Sequence, residues 1–376
     1  MKRNKVSVNY IYNMLYQVLT FLTPIITAPL LARTLGSTNL GIYDYTYTIV
    51  NWFTIVGMLG ISTYGNREIA KASATNDKNV VSKKFSEIFT LQMVSVLISF
   101  TIFILLILLT NFRYKTIFII QGLLIFSSAF EISWFYAGMQ DFKKVSIRNM
   151  ILKLITVIGI VLLIHSDKDL ILYTSFLAVL SVINSLILFY KIGDYVNYKK
   201  PTIKEFASHI KGSIALFIPQ IATTIYSVFG RTLIGMLYTD INEVAFYNYA
   251  YRFTTMILYI VTTIGTVMLP RVVQIRNEDN DEEAKRITNK TLKVALLLSI
   301  PLAIGFSTVA PFFIPWFLTE NFSRVSTIIC FLAPTIVFIS ITNVLGTQYL
   351  IPFEKTSKYT ISVVSGCFIS LFLNLI

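Results

Sequence analysis

The chain has 376 residues, a formal charge of +13, 55% hydrophobic residues and only 14% charged ones. Soluble domains carry roughly 25% charged residues, so this composition excludes an ordinary soluble enzyme or nucleic-acid-binding module and points to an all-α polytopic membrane protein. Two cysteines within apolar runs give no disulfide framework, and two isolated histidines, His165 and His209, give no metal cluster.

The basic N-terminus MKRNKVSV leads into a long apolar run with no A-x-A cleavage pattern, so it reads as a retained first helix. Runs near 20 residues, each able to cross a ~30 Å hydrocarbon core, predict eleven spans. They cover 10–32, 40–62, 87–110, 116–138, 147–165, 169–190, 213–237, 243–270, 291–315, 325–351 and 358–376. The expected organisation is an N-terminal six-helix bundle over residues 1–200 and a C-terminal bundle over 201–376. The second bundle lacks a twelfth helix, as a truncated chain would. The acidic run NEDNDEEAKR before the ninth span reads as a solvated linker.

Lys and Arg set the orientation. With the N-terminus cytoplasmic, twenty-four of the 32 basic residues fall in inner segments and five in outer ones, leaving Lys153, Arg231 and Arg252 within spans. The membrane thereby accounts for the basic charge without a nucleic-acid partner.

A repeat joins the two halves. GIYDYTYTIV (41–50) is matched by AFYNYAYRFT (245–254), so that Tyr43, Tyr45 and Tyr47 recur as Tyr247, Tyr249 and Tyr251 at a constant offset of 204. Each copy begins the second helix of a six-helix group. Six is even, so the groups share orientation, as in parallel repeats related by a pseudo-twofold along the membrane normal. The copies differ in charge: Asp44 becomes Asn248, and Thr48 becomes Arg252.

An ionisable group inside a span costs on the order of 2.5–3.5 kcal/mol on insertion scales. Asp44, Glu131, Lys153, Arg231 and Arg252 are such groups, whereas Arg33 and Glu87 sit at span ends and are expected to snorkel. Arg231 and Arg252 lie on two helices joined by the short turn YTDINEV. Guanidinium forks suit phosphate oxygens, so the pair reads either as a cationic lining for an anionic substrate or as partners of Asp44 that hold or gate the halves. Glu131 and Lys153 are expected to pair across their hairpin, with a transport or coupling role for Glu131 left open.

The stretch EISWFYAGMQDFKKVSIRN, from Glu131 to Asn149, resembles the acidic-x-x-Trp-aromatic-aromatic-x-Gly … Ile-Arg-Asn pattern of bacterial polysaccharide biosynthesis proteins. These are the oligosaccharide (O-antigen or capsule repeat-unit) flippases of the multidrug/oligosaccharidyl-lipid/polysaccharide (MOP) superfamily. PLLARTLGSTNLGIYDYTYTIVNWFTIVGMLGISTYGNREIAK is similar to that family's opening, and YNYAYRF fits its second half. By position, Glu131, Trp134, Gly138, Arg148 and Asn149 match the loop motif, and Arg33 and Gly36 match the first-loop motif.

The resemblance implies a V-shaped pair of bundles in the bacterial cytoplasmic membrane. Its central cavity carries an undecaprenyl-pyrophosphate-linked glycan to the outer leaflet by alternating access. Membrane lipids and polysaccharide polymerase machinery are the implied partners. A multidrug exporter of the same superfamily is the alternative, although acidic cavity groups would suit its cations better. A membrane glycan polymerase or glycosyltransferase needs a larger outer loop than NFRYK, HSDKD or YTDINEV offers. No G-x-x-x-x-G-K-[ST] motif supports a nucleotide cofactor.

Overall fold

The computed structural model describes the backbone of residues 2–278 and 280–375. All regular elements among them are helical. They are α1 (Lys2–Thr34), α2 (Gly36–Met58), α3 (Ile61–Ser73), α4 (Lys78–Leu109), α5 (Lys115–Ser128), α6 (Ser133–Gly138), α7 (Phe142–Leu163), α8 (Leu170–Ile187), α9 (Ile203–Ala207), α10 (Ile210–Leu237), α11 (Asn242–Asn277), α12 (Asp281–Phe317), α13 (Ser323–Asn343), a π-helical turn (Val344–Leu350) and α14 (Thr356–Leu375).

Seven of these segments are long and apolar enough on their own to cross a membrane, and Ile203–Ile225 with Val228–Leu237 makes an eighth as a bent pair. The helices α2, α11 and α14 have 23, 36 and 20 residues, or about 35, 54 and 30 Å at 1.5 Å per residue. Counted with the eight, they give eleven spans. The helix α2 is made more polar by the first tyrosine repeat, which it carries. Large apolar side chains such as Phe312 and Phe331 stand exposed on the outer surface, as lipid contact requires.

The helix ends differ from expectation in ways that have physical causes. The acidic run NEDNDEEAKR is largely the start of α12 and not a linker. Asp281, Glu282 and Glu283 occupy its first turn, where they face the positive end of the helix dipole. Asn280 accepts a hydrogen bond from the Glu283 N–H there, at 3.1 Å.

The predicted 40–62 span ends at Met58, where Leu59 and Gly60 take left-handed backbone angles, φ +47° and +74°. A Cβ on Gly60 would sit 2.8 Å from both the Phe217 N and the Ser213 O of α10. Only glycine allows that approach.

The predicted 116–138 span is likewise two helices, broken between Ser128 and Ser133. The carbonyls released by such a break need partners inside a membrane protein. Gln92 of α4, fully buried, supplies them. Its amide donates to the carbonyls of Ser128 (2.7 Å), Glu131 (3.0 Å) and Ala129 (3.3 Å). Its oxygen accepts from the Trp134 indole at 2.7 Å.

The chain divides into two compact units, Met1–Thr224 and Ile225–Ile376, with the dividing point inside α10. Unit 1 has two apolar cores. One gathers Trp134, Phe135 and Tyr136 of α6 with Phe85 and Ile88 of α4. The other gathers Phe103 and Ile107 of α4 with Phe118 and Ile125 of α5. Unit 2 has smaller clusters, around Val272 and Ala284, around Val261, Ala295 and Val344, and around Ala333 and Ile336.

Candidate functional site

The tyrosine repeat is built the same way in each unit. In unit 1 the Tyr43 and Tyr47 rings stack at 6.0 Å and 11°. In unit 2 Tyr247 and Tyr251 stack at 6.4 Å and 15°. The intervening tyrosines also match: Tyr45 meets Phe118 edge-on at 6.1 Å, and Tyr249 meets Phe322 edge-on at 5.3 Å. Phe118 and Phe322 are both fully buried and stand at the same offset of 204 as the tyrosines. A spacing of four residues puts each stacked pair on one helix face, so sequence spacing alone dictates half of this geometry. The Phe partners, on α5 and in the 3-10 turn Glu320–Phe322 before α13, could not be read from the repeat.

On this shared frame the charges differ. Asp44 is buried at 7% exposure, and the Thr48 hydroxyl donates to the Asp44 backbone carbonyl at 2.7 Å. At the matching place in unit 2, Asn248 is buried at 6% and accepts from Arg231 Nη1 at 3.0 Å. The Arg231 guanidinium also lies over the Tyr251 ring at 4.9 Å, and Arg252 lies over Tyr249 at 5.7 Å. The structure therefore brings both arginines into the tyrosine repeat of unit 2. Amide oxygens and aromatic faces are both good partners for a guanidinium.

The loop motif of unit 1 forms one cluster. Arg148, with its side chain 5% exposed, pairs with Glu131 at 3.2 Å. It also donates to Asn149 Oδ1 at 2.8 and 3.0 Å and to the Asn184 carbonyl at 3.1 Å. Glu131 Oε1 accepts from the Ser133 N–H at 3.1 Å. The acid's partner is thus Arg148 and not the expected Lys153. Arg148 sits near the start of α7, beside the broken end of α5, whereas Lys153 is further along α7. Trp134 lies against Gly65, where a Cβ would come within 2.5 Å of the ring. Gly138 abuts Ile69, where a Cβ would come within 2.7 Å. In the first-loop motif, Arg33 is exposed in the last turn of α1, and Gly36 takes φ +72°.

Two cavities flank this cluster. One, of about 220 Å³, lies between α2, α5 and α8, with Glu131 in its lining. The other, of about 230 Å³, lies between α1, α7 and α8 and contains Asn149 and Lys153. Ser181 and Asn184 of α8 line both.

Glu87 does not snorkel. It is buried at 3% exposure, and His209, also at 3%, bonds to it through Nε2 at 2.8 Å. The other ring nitrogen of His209 meets the Tyr64 hydroxyl at 2.7 Å. Lys84 pairs with Glu87 at 3.0 Å, and Lys83 bridges Glu87 (3.8 Å) to Glu205 (3.4 Å). His209 is therefore not isolated in space, though its partner is 122 positions away and no local signal reveals it.

Nearby, partial burial raises the pKa of Glu68, but Lys71 and Arg67 outweigh it and hold the carboxyl below its ordinary value. Glu205 is held low by the Thr202 N–H and hydroxyl and by Lys83. No group of three or more His, Cys, Asp or Glu able to hold a metal occurs among the described residues.

Helical spans in two units, with charged groups embedded in each, define a polytopic membrane protein, and comparison with solved structures agrees on the fold. The chain resembles a multidrug resistance MATE family transporter of the MOP superfamily in its inward-facing conformation, with TM-score 0.62, 14% identity and coverage of 95% of this chain and 84% of that one. A MATE in the bent conformation matches with TM-score 0.50, 12% identity and coverage of 92% and 86%. At such identities the likeness is one of fold. The family model for polysaccharide biosynthesis proteins matches residues 6–276, and the chain belongs to that family. A MatE model also matches residues 215–376. No curated protein matches the chain.

Proposed function

We propose that this transporter flips an undecaprenyl-pyrophosphate-linked oligosaccharide from the cytoplasmic to the outer leaflet of a bacterial plasma membrane. The N-terminus is cytoplasmic in this reading, as the Lys/Arg distribution requires. The observation that carries it is the pair Arg231 and Arg252, held against Asn248, Tyr251 and Tyr249 in one stretch of unit 2. Two guanidiniums match the charge and fork geometry of a pyrophosphate. They remain protonated throughout a cycle, and the polyprenyl tail stays in lipid. The membrane potential, worth ~2.3 kcal/mol per charge per 100 mV, can bias the movement of such a headgroup. Asp44, Glu131 and Lys153 have gating or coupling roles in this reading, and Trp134, Gly138, Arg148 and Asn149 hold the fold around them.

The test is transfer of a fluorescent lipid-linked oligosaccharide in proteoliposomes. Arg231→Ala and Arg252→Ala are each expected to lower the rate about tenfold or more, equivalent to ~1.4 kcal/mol. Undiminished rates in both variants would remove the arginines from the substrate site. The MatE match over 215–376 gives a multidrug exporter as the second reading. Drug efflux by the purified protein, with no movement of lipid-linked glycan, would establish that reading instead.

A further inference from the structure

The 220 Å³ cavity of unit 1 has a chemistry of its own. Its hydroxyls have already committed their protons. Thr54 donates to the Val50 carbonyl (3.0 Å), Ser127 to Leu124 (2.8 Å) and Ser128 to Ile125 (2.6 Å). Ser185 donates to Ser181 or Val182 (3.1 Å). Ser181 shares a 2.7 Å bond with Ser127, and since the Ser127 proton is engaged, Ser181 is the donor. A hydroxyl whose proton is used offers only lone pairs. The Asn184 Oδ1 is also buried and accepts nothing among the described residues. The cavity is therefore rich in acceptors and calls for a donor.

Charge decides between two kinds of donor. A bound cation needs negative charge close by. Glu131 is the one ionisable carboxylate or amine in the lining, and Arg148 neutralises it at 3.2 Å. A neutral, acceptor-rich cavity suits the hydroxyls of a sugar better than an ion. The amide of Asn51 and the ring of Tyr47, which is 41% exposed, complete a lining of the polar and aromatic kind that orients uncharged ligands. The volume limits the size of the occupant. Sites for drug-sized ligands span roughly 300–1,000 Å³, so this smaller space fits a single pyranose ring.

We infer that the cavity between α2, α5 and α8 is a subsite for one neutral monosaccharide unit of the transported glycan, which rests on the flippase reading. Its residues are distinct from the arginines assigned to the pyrophosphate.

The experiment uses the full chain in lipid nanodiscs. Saturation-transfer NMR is recorded with N-acetylglucosamine, galactose, glucose and rhamnose, and binding of farnesyl pyrophosphate is measured alongside. At least one sugar is expected to bind the wild type. Asn51→Leu, which fills the space and removes the amide, weakens that binding about tenfold and leaves farnesyl pyrophosphate binding unchanged. Should Asn51→Leu fail to fold, Asn51→Ser and Thr54→Val serve, with about threefold weakening expected. If sodium chloride raises the thermal stability of the wild type and no sugar binds, the cavity is a cation site and the inference is overturned. If neither sugar nor sodium has an effect, it holds water only, and the inference is equally overturned. No sugar binding by the wild type, with glycan-lipid transfer and farnesyl pyrophosphate binding both present, rejects the subsite alone. Absence of all three rejects the flippase reading itself.

Discussion

The two units share a tyrosine frame and treat charge in opposite ways. In unit 1 polar groups inside the helices satisfy one another: Glu131 with Arg148, Glu87 with His209 and Lys84, and Gln92 with three carbonyls. In unit 2 the described ion pairs sit at helix ends, as in Arg276–Asp281, Arg286–Glu283 and Arg324–Glu243. The arginines in its tyrosine repeat meet an amide and aromatic rings. A duplicated scaffold thus separates two tasks. In unit 1 the pairs hold helices together, and in the tyrosine repeat of unit 2 Arg231 and Arg252 lie among an amide and aromatic rings.

The comparison breaks most visibly at Arg148. Truncation to Ala leaves Glu131 uncompensated and strips Asn149 and the Asn184 carbonyl of a donor. Losing one partner of a fully buried pair costs about 3–5 kcal/mol; with Glu131 27% exposed, a drop of about 3 kcal/mol should appear in thermal unfolding in detergent, with Arg148→Lys recovering part of it. Gln92→Leu comes next. It removes the two N–H donors of the amide that closes the α5–α6 break, and at about 1 kcal/mol per N–H roughly 2 kcal/mol should be lost. A variant as stable as the wild type would show that the break needs no cap.

In unit 2 the expected signature reverses. Asn248→Asp places at the repeat the acid that unit 1 carries as Asp44, and it neutralises Arg231. Stability should hold within about 1 kcal/mol while glycan-lipid transfer falls about tenfold. Unchanged transfer would mean that the charge at Arg231 is not what the substrate meets.

The smallest effect concerns Glu205. Its folded pKa is depressed by Thr202 and Lys83, so its contribution is present above the ordinary carboxylate pKa and lost as pH falls through the depressed value. Glu205→Gln should lower stability slightly at neutral pH and leave it unchanged below the depressed value, which flattens the acid side of the profile.

Much of the fold was legible because the membrane imposes simple arithmetic on length and hydropathy. The stacked tyrosines were legible too, since four-residue spacing is enough to bring two rings together on a helix. The broken fourth span was not, because nothing within Ala129–Ile132 signals a break and the group that stabilises it, Gln92, comes from α4. The Arg148 partner of Glu131 is hidden in the sequence for a related reason. Depth along the helices pointed to Lys153, but the break lets the chain turn toward Arg148 at the start of α7. Both histidines looked inert in one dimension, and only packing between α3, α4 and the start of α10 revealed His209 beside Glu87. The polar cavity had no sequence signature, because serines that donate to their own helix carbonyls look like any other small residues.

The contact between Glu87 and His209 also bears on the order of synthesis. Glu87 leaves the ribosome 122 residues before its imidazole partner. The segment that brings His209 into place is itself sewn along α4, with the Asn197 N–H on Ser82 Oγ at 3.0 Å and the Lys199 N–H on Ser86 Oγ at 3.1 Å. Six inserted spans are therefore not yet a finished N-terminal body. Until translation has passed the first turn of α10, a carboxylate in α4 has only Lys83 and Lys84 for company. A nascent chain halted before that point is the form that membrane quality-control proteases should recognise.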